Sequence, residues 1–326
     1  ASMPALAQNA PAAVSTLSAD PPDRFAAAEA QLNGAIPGAQ PVLASVIPAG
    51  RVQLRVPILM YHYIRVNPVP SDKLGFNLSV TPTDFNSQLD WLSANGYHPV
   101  DFNDLRAYWD HGVPLPSKPV VLTFDDGYTD MYTTAYPLLR AHNFKAVAYI
   151  VSGFVGSKQN VSVDQVKEMD ANGIQIGAHT FSHADLTKVS DAELRKQLFD
   201  SKASLESWVG HPVVDFCYPA GQFNAKVADM ARQAGYLDAT TTQPGTVHSL
   251  GDRFTWSRVR VSGGEGIAQL AGDLGPAEPT VQTTVPAPPR KVTYSMLPRL
   301  PMIVGSSVLR ALLPGIDRPL RAPSFR

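Results

Sequence analysis

Two adjacent carboxylates, Asp125 and Asp126, follow the apolar run Val120-Val121-Leu122-Thr123-Phe124 and precede Gly127. Successive strand residues point to opposite faces. With a turn beginning at the glycine, the two acids can approach one point from different directions, one holding a metal while the other moves a proton. Asp-Asp-Gly taken alone is more often a plain turn. His179 and His183, four residues apart after the apolar stretch Ile174 to Ala178, shift that balance. On a helical turn this spacing brings two imidazoles to one side, where they are natural ligands for zinc and related ions. The competing explanation is a surface or core pair, but the chain has only eight histidines. Joined by one Asp, they make a two-histidine-one-carboxylate set with open positions for water and substrate, the pattern of a catalytic rather than a closed structural metal site.

Such residues need a scaffold that gathers strand ends. Val52 to Tyr61 is β-rich and apolar and ends at His62. Thr83-Asp84 opens an amphipathic helix with Phe85, Leu89 and Leu92 on one face and Gly96 as its stop. Tyr97 to Asp101, Pro119 to Phe124, Ala146 to Val151, Ile174 to Ala178 and Val214 to Tyr218 read as strands. Phe102 to Trp109, Tyr132 to His142, Val163 to Asn172, Asp191 to Val209 and Ala225 to Ala234 read as helices between them. The alternation argues for parallel strands covered by helices. In a parallel barrel the working residues lie at the C-terminal strand ends, and His62, Asp125, His179 and Pro219 all fall there.

The flanks read differently. Residues 1–50 are rich in Ala, Pro, Ser and Gln, as in an exported-protein linker, and Ala5-Leu6-Ala7 resembles the small-residue end of a signal peptide. The folded domain is expected over 51–270, and a Pro-rich linker and basic tail over 271–326. Residues 290–326 hold seven Lys or Arg against one Asp. That charge suits an anionic surface, but Pro298, Pro301, Pro314 and Pro319 break any long amphipathic helix and favour a solvated tail. A net charge of -1 gives no attraction to nucleic acid. No apolar run is long enough for a membrane-spanning helix. The single cysteine, Cys217, excludes an internal disulfide and a thiolate-rich zinc site, and it reads as a packing residue.

Thr123-Phe124-Asp125-Asp126-Gly127 followed by His179-Thr180-Phe181-Ser182-His183 resembles the first two motifs of the polysaccharide deacetylases of the NodB-homology type, carbohydrate esterase family 4. The resemblance covers roughly residues 52–265. It implies a distorted (β/α)7-type barrel with flexible N- and C-terminal extensions, with Asp125 as catalytic base and Asp126, His179 and His183 as ligands of one divalent metal ion. Zinc is the first expectation; cobalt, nickel and iron are open.

The chain departs from the family in two places. The third family motif, Arg-x-Pro-x-Gly, is matched by Cys217-Tyr218-Pro219-Ala220-Gly221, without the arginine that orients the catalytic aspartate. Arg258, in the last strand-like element, is the candidate replacement, against an ordinary structural ion pair. A proton-donating histidine near the C-terminal end of the domain is missing too. His248 is the only late candidate, whereas Leu59-Met60-Tyr61-His62 at the domain start looks like the same strand displaced. This resembles the circularly permuted branch typified by poly-β-1,6-N-acetylglucosamine deacetylases, and His62 is the expected acid.

The implied activity is metal-assisted hydrolysis of N-acetyl groups on an N-acetylglucosamine-containing polysaccharide: exopolysaccharide, peptidoglycan or a chitin-like chain. The Tyr218-Pro219-Ala220-Gly221 loop would supply a backbone N–H to the oxyanion. Tyr61, Tyr63, Tyr128 and Trp256 are candidates to pack on sugar rings, each as readily explained by core or rim packing. An extracytoplasmic, monomeric enzyme is expected. Two competitors stand beside it: a catalytically silent carbohydrate-binding domain, and a two-histidine-one-carboxylate iron oxygenase, which would need a jelly roll of short strands.

Overall fold

The computed structural model describes residues 53–275. The expected N-terminal linker and nearly all of the expected C-terminal linker and basic tail lie outside the described residues.

Seven strands form a closed, all-parallel barrel: β1 (Ile58–Tyr61), β2 (Pro119–Phe124), β3 (Ala146–Ile150), β4 (Ile174–Ala178), β5 (Asp215–Cys217), β6 (Asp238–Pro244) and β7 (Trp256–Arg260). Neighbours in the barrel are neighbours in the chain. The ring closes because β1 pairs with β2 on one side and β7 on the other, Leu59 lying opposite Leu122 and Val259. Helices α1 (Pro82–Ala94), α2 (Phe102–His111), α3 (Tyr136–Ala141), α4 (Val163–Ala171), α5 (Asp191–Val209), α6 (Ala225–Gln233) and α7 (Ile267–Leu274) accompany it. Their starts are fixed locally by side chains that satisfy otherwise unpaired amides. Thr81, Ser190 and Asn224 cap α1, α5 and α6, and reciprocal capping boxes open α2 (Asp101/Asp104) and α4 (Ser162/Gln165).

Alternation along the strands sorts side chains into two cores. Val120, Leu122, Phe124, Ala146, Ala148 and Ile150 face the helices, whereas Val121, Val147, Tyr149, Cys217 and Trp256 form a separate interior cluster. The N-terminal end of the barrel is closed by α2. Its Arg106 donates to Asp215 at 2.5 Å, to Asp238, and to Asn103 at 2.6 Å. These two aspartates begin β5 and β6, side by side in register.

Three local departures from the sequence reading have physical causes. The expected strand Val52 to Tyr61 is split at Pro57, and Leu54–Arg55 turns aside to pair antiparallel with Val247–His248. The expected helix Tyr132 to His142 begins instead as a π-type turn over Met131–Ala135. Pro137 has no N–H and would crowd the carbonyl four residues back in a regular helix. Strand β6 lacks the apolar run of its neighbours, because Thr240-Thr241-Thr242-Gln243 is polar throughout.

His248 lies at the N-terminal end of the barrel, with Nε2 3.1 Å from the Val56 carbonyl and its ring against Trp256. It is 1% exposed, and burial pushes its pKa down to about 4. The folded state therefore favours the neutral ring. Its stabilising contribution is present above the ordinary histidine pKa of about 6.5 and is lost as pH falls from there towards about 4. Urea titrations at stepped pH should show wild-type stability falling across that window by up to about 3 kcal/mol more than in His248→Gln. Equal pH slopes for the two proteins would refute it.

Candidate active site

Every residue singled out for catalysis or metal binding except Arg258 follows the C-terminal end of a barrel strand. His62 follows β1, Asp125 and Asp126 follow β2, His179 follows β4, and Pro219 to Gly221 follow β5. Arg258 comes from within β7, two residues past Trp256 on the same inward face. Among the described residues, four of the six non-glycine residues with positive φ lie at these same loops: Asp126 at 74°, Thr180 at 66°, His183 at 58° and Ala220 at 50°. Such backbone costs about 1–3 kcal/mol per residue and persists where the surroundings impose it.

Asp125 is buried and held by two parallel hydrogen bonds from Arg258, Nη1 to Oδ1 at 2.8 Å and Nη2 to Oδ2 at 2.7 Å. Arg258 is itself fixed on every side. Nε donates to the Thr241 carbonyl at 2.8 Å, Nη1 to Thr123 Oγ1 at 3.0 Å, and Nη2 lies 3.1 Å from Cys217 Sγ. The register shift between β6 and β7, where Thr240 faces Trp256 but Pro244 faces Arg258, accompanies that placement. Burial alone would raise the Asp125 pKa, but Arg258 reverses this and holds the carboxyl well below the usual carboxylate range. Cys217, standing where the family motif has arginine, is fully buried and leaves the space that the Arg258 guanidinium enters. Thr123 and the Thr241 carbonyl were not anticipated. Thr123 was legible as an inward strand position, whereas Thr241 depends on the unread strand β6.

Asp126 Oδ1 lies 3.4 Å from His179 Nε2 and 3.3 Å from His183 Nε2, and these atoms converge on one point. The convergence does not come from a helical turn. His179 directly follows β4, Thr180 to Ser182 form a tight turn, and His183 is swung back by its left-handed backbone, with its N–H donating to Thr180 Oγ1 at 2.9 Å. His179 Nδ1 lies 2.8 Å from the Cys217 carbonyl, which as an acceptor leaves Nε2 with a free lone pair towards Asp126. Asp126 Oδ1 is buried with no hydrogen bond of its own. A buried anionic oxygen without a donor, facing two imidazole nitrogens, fits a divalent cation. A second convergent set, Asp125, His179 and Cys217, fits less well because Arg258 and the Cys217 carbonyl occupy two of its members.

His62 Nε2 stands 3.9 Å from Asp125 Oδ2 with its side chain 14% exposed. Burial lowers its pKa, partly offset by Asp125 and Asp126. The turn after β5 leaves Ala220 exposed while Tyr218 is buried against Phe223. The Gly221 and Gln222 amides bond the Tyr218 and Pro219 carbonyls at 2.8 and 3.0 Å. Of the four aromatic candidates for sugar stacking, Tyr61 and Trp256 are fully buried and out of reach. Tyr63 and Tyr128 are half-buried and stacked on each other at 3.7 Å.

A family model described as polysaccharide deacetylase matches residues 112–238. The polysaccharide deacetylase YxkH of Bacillus subtilis is 31% identical over 210 residues, which span 64% of this chain and 72% of that one. A poly-β-1,6-N-acetyl-D-glucosamine N-deacetylase of Escherichia coli is 41% identical over 86 residues, 26% of this chain and 13% of the relative. A peptidoglycan-N-acetylglucosamine deacetylase of Bacillus cereus is 34% identical over 125 residues, 38% of this chain and 56% of the relative. Among solved structures, the Streptococcus pyogenes deacetylase PplD in complex with acetate superposes with a TM-score of 0.63 at 29% identity, covering 68% of this chain and 99% of that one. The closed parallel barrel is not the jelly roll that an iron oxygenase required. Its sequence and its barrel agree: the chain belongs to the polysaccharide deacetylase family, the NodB-homology class of carbohydrate esterase family 4, and is a polysaccharide N-deacetylase.

Proposed function

We propose that the chain removes N-acetyl groups from an N-acetylglucosamine polymer in a metal-dependent reaction, with Asp125 as base, His62 as acid and Asp126, His179 and His183 as metal ligands. The observation that carries this reading is the split between the two adjacent aspartates. One is locked to Arg258 beside His62, and the other faces two imidazoles with an unpartnered oxygen.

Each residue's chemistry follows from its surroundings. A divalent metal at Asp126, His179 and His183, zinc first, then cobalt, nickel or iron, would supply Lewis acidity to polarise the acetyl carbonyl and acidify a nearby water. Arg258 keeps Asp125 ionised and oriented, so it can accept the water proton. His62, neutral at rest through burial, stands 3.9 Å away to receive that proton and deliver it to the departing amine nitrogen. Water oxygen bonds the acyl carbon, the C–N bond breaks, and acetate and a free amine result. The exposed Ala220 amide, held by its left-handed backbone, is suited to donate to the oxyanion.

The relatives' names support peptidoglycan or β-1,6-linked N-acetylglucosamine as the polymer, with a chitin-like chain as the third possibility. Such polymers lie outside the cytoplasm, which supports an extracytoplasmic site of action. No helix among the described residues is long and apolar enough to cross a membrane. One chain supplies every group named, in keeping with a monomer.

The test is acetate release from N-acetylated oligomers of each linkage, after chelation and after restoring zinc. The expected result is loss in chelator and recovery with metal. Undiminished turnover in chelator would refute metal dependence, and no acetate from any oligomer would refute the function.

A further inference from the structure

Helix α5 carries a mostly apolar buried face, with Leu194, Leu198 and Leu205 alongside Gln197 and Ser201. Gln197 is 1% exposed. A primary amide sealed at that depth costs free energy unless its donors and acceptor are matched, and packing alone would be served by another leucine. Its partners explain it. Gln197 Oε1 accepts from the Ser182 amide at 2.9 Å, and Nε2 donates to Ser182 Oγ at 2.7 Å. Nε2 also donates to Glu193 Oε1, one turn back on α5, at 2.7 Å. The Gln197 main-chain carbonyl accepts from the Phe181 amide at 3.1 Å. Every one of these contacts outside α5 falls on the turn that runs from His179 to His183.

That turn needs holding. Thr180 and His183 have left-handed backbone, which residues with a Cβ keep only where their surroundings impose it. Asp126 and His179 stand within two residues of barrel strands, whereas His183 is five residues past β4. The turn's carbonyls are held from the end of β3, where the Ser152 and Gly153 amides donate to Thr180 and Phe181 at 3.1 and 2.8 Å. A Cβ on Gly153 would lie 2.4 Å from the Phe181 oxygen, so that approach requires glycine. The turn's middle amides, Phe181 and Ser182, both go to Gln197.

Resting on the proposed reading of His183 as a metal ligand, we infer that Gln197 is a positioning residue of the metal centre. It locks the turn so that the His183 imidazole faces Asp126 before the metal arrives, and thereby sets metal affinity. Gln197 makes no hydrogen bond to either imidazole. It acts through Ser182, the neighbour of His183, while Glu193 fixes the orientation of its amide. Partners that orient ligands in this way are worth about 10–100-fold in metal affinity. Without the lock, binding must first order the turn, and affinity falls by that cost.

The experiment measures zinc affinity of the full-length protein by competition with a chromophoric chelator. Urea unfolding of the metal-free form and visible absorption of the cobalt-loaded form are followed alongside. Gln197→Leu, which continues the apolar face, should weaken zinc binding about 10–100-fold and alter the cobalt spectrum, because the His183 nitrogen is no longer held in place. Ser182→Ala keeps the backbone bond and removes one partner, so its loss should be smaller. The double variant should bind no more weakly than Gln197→Leu alone, since both changes act through one contact; strictly additive losses would count against the inference. A merely structural glutamine would change metal-free stability and leave zinc affinity and the cobalt spectrum at wild-type values, and that result overturns the inference. If Gln197→Leu does not fold, Ser182→Ala decides by the same two readings. Wild type without zinc affinity, or His183→Ala binding as tightly as wild type, overturns the ligand reading instead.

Discussion

Asp125→Asn is expected to lower acetate release by about 10²–10⁴-fold, the range for loss of a positioned proton-transfer group. The geometry makes this substitution severe in a particular way. Arg258 presents two donors to two carboxylate oxygens at 2.8 and 2.7 Å. An asparagine returns one acceptor and sets an NH2 against the other donor, leaving a buried guanidinium without its counter-charge. Breaking such a pair costs about 3–5 kcal/mol, so the folded fraction must be followed by circular dichroism alongside turnover. Arg258→Lys provides the complementary case. It keeps the positive charge, loses the fork, and should lower kcat much more than it raises KM, because its role is to aim Asp125 rather than to touch substrate. Near-wild-type kcat in folded Asp125→Asn would remove Asp125 from the proton path.

His62→Ala is expected to lower kcat by about 10²–10⁴-fold, while His248→Ala leaves it within a few-fold of wild type. His62 faces Asp125 at the mouth of the barrel, and His248 is bonded to the Val56 carbonyl at the other end. Steady-state acetate release by the two variants decides between them. The opposite ranking would show that the displaced first strand does not carry the proton donor.

Much of this layout was legible because it rests on local rules. Strands β2 and β4 and helix α5 have the bounds that apolar runs, caps and glycine stops announce, and the residues after β1, β2, β4 and β5 do gather at one end of the barrel. The closing of the ring by β1 between β7 and β2 agrees with the displaced first strand suggested by Leu59-Met60-Tyr61-His62. The convergence of His179 and His183 was anticipated, but for the wrong local reason. Four-residue spacing suggested a helix, and the pair is joined by a tight turn with two positive φ values, which no periodicity reveals. The cradle around Arg258 was only half visible. Its partner Asp125 was expected, whereas the Thr241 carbonyl is a backbone atom on a polar strand and leaves no trace in side-chain patterning. Tyr61 and Trp256 misled because aromatic character alone does not tell a ring at the cleft from one sealed in a core; their burial decides it.

The division of labour between Asp125 and Asp126 is tested most directly by metal stoichiometry and acetate release on the same preparations of Asp125→Asn and Asp126→Asn, each loaded with zinc and freed of excess. The expected result is about one metal per chain without turnover for Asp125→Asn, and loss of both metal and turnover for Asp126→Asn. Full metal retention by folded Asp126→Asn, or metal loss confined to Asp125→Asn, would contradict it.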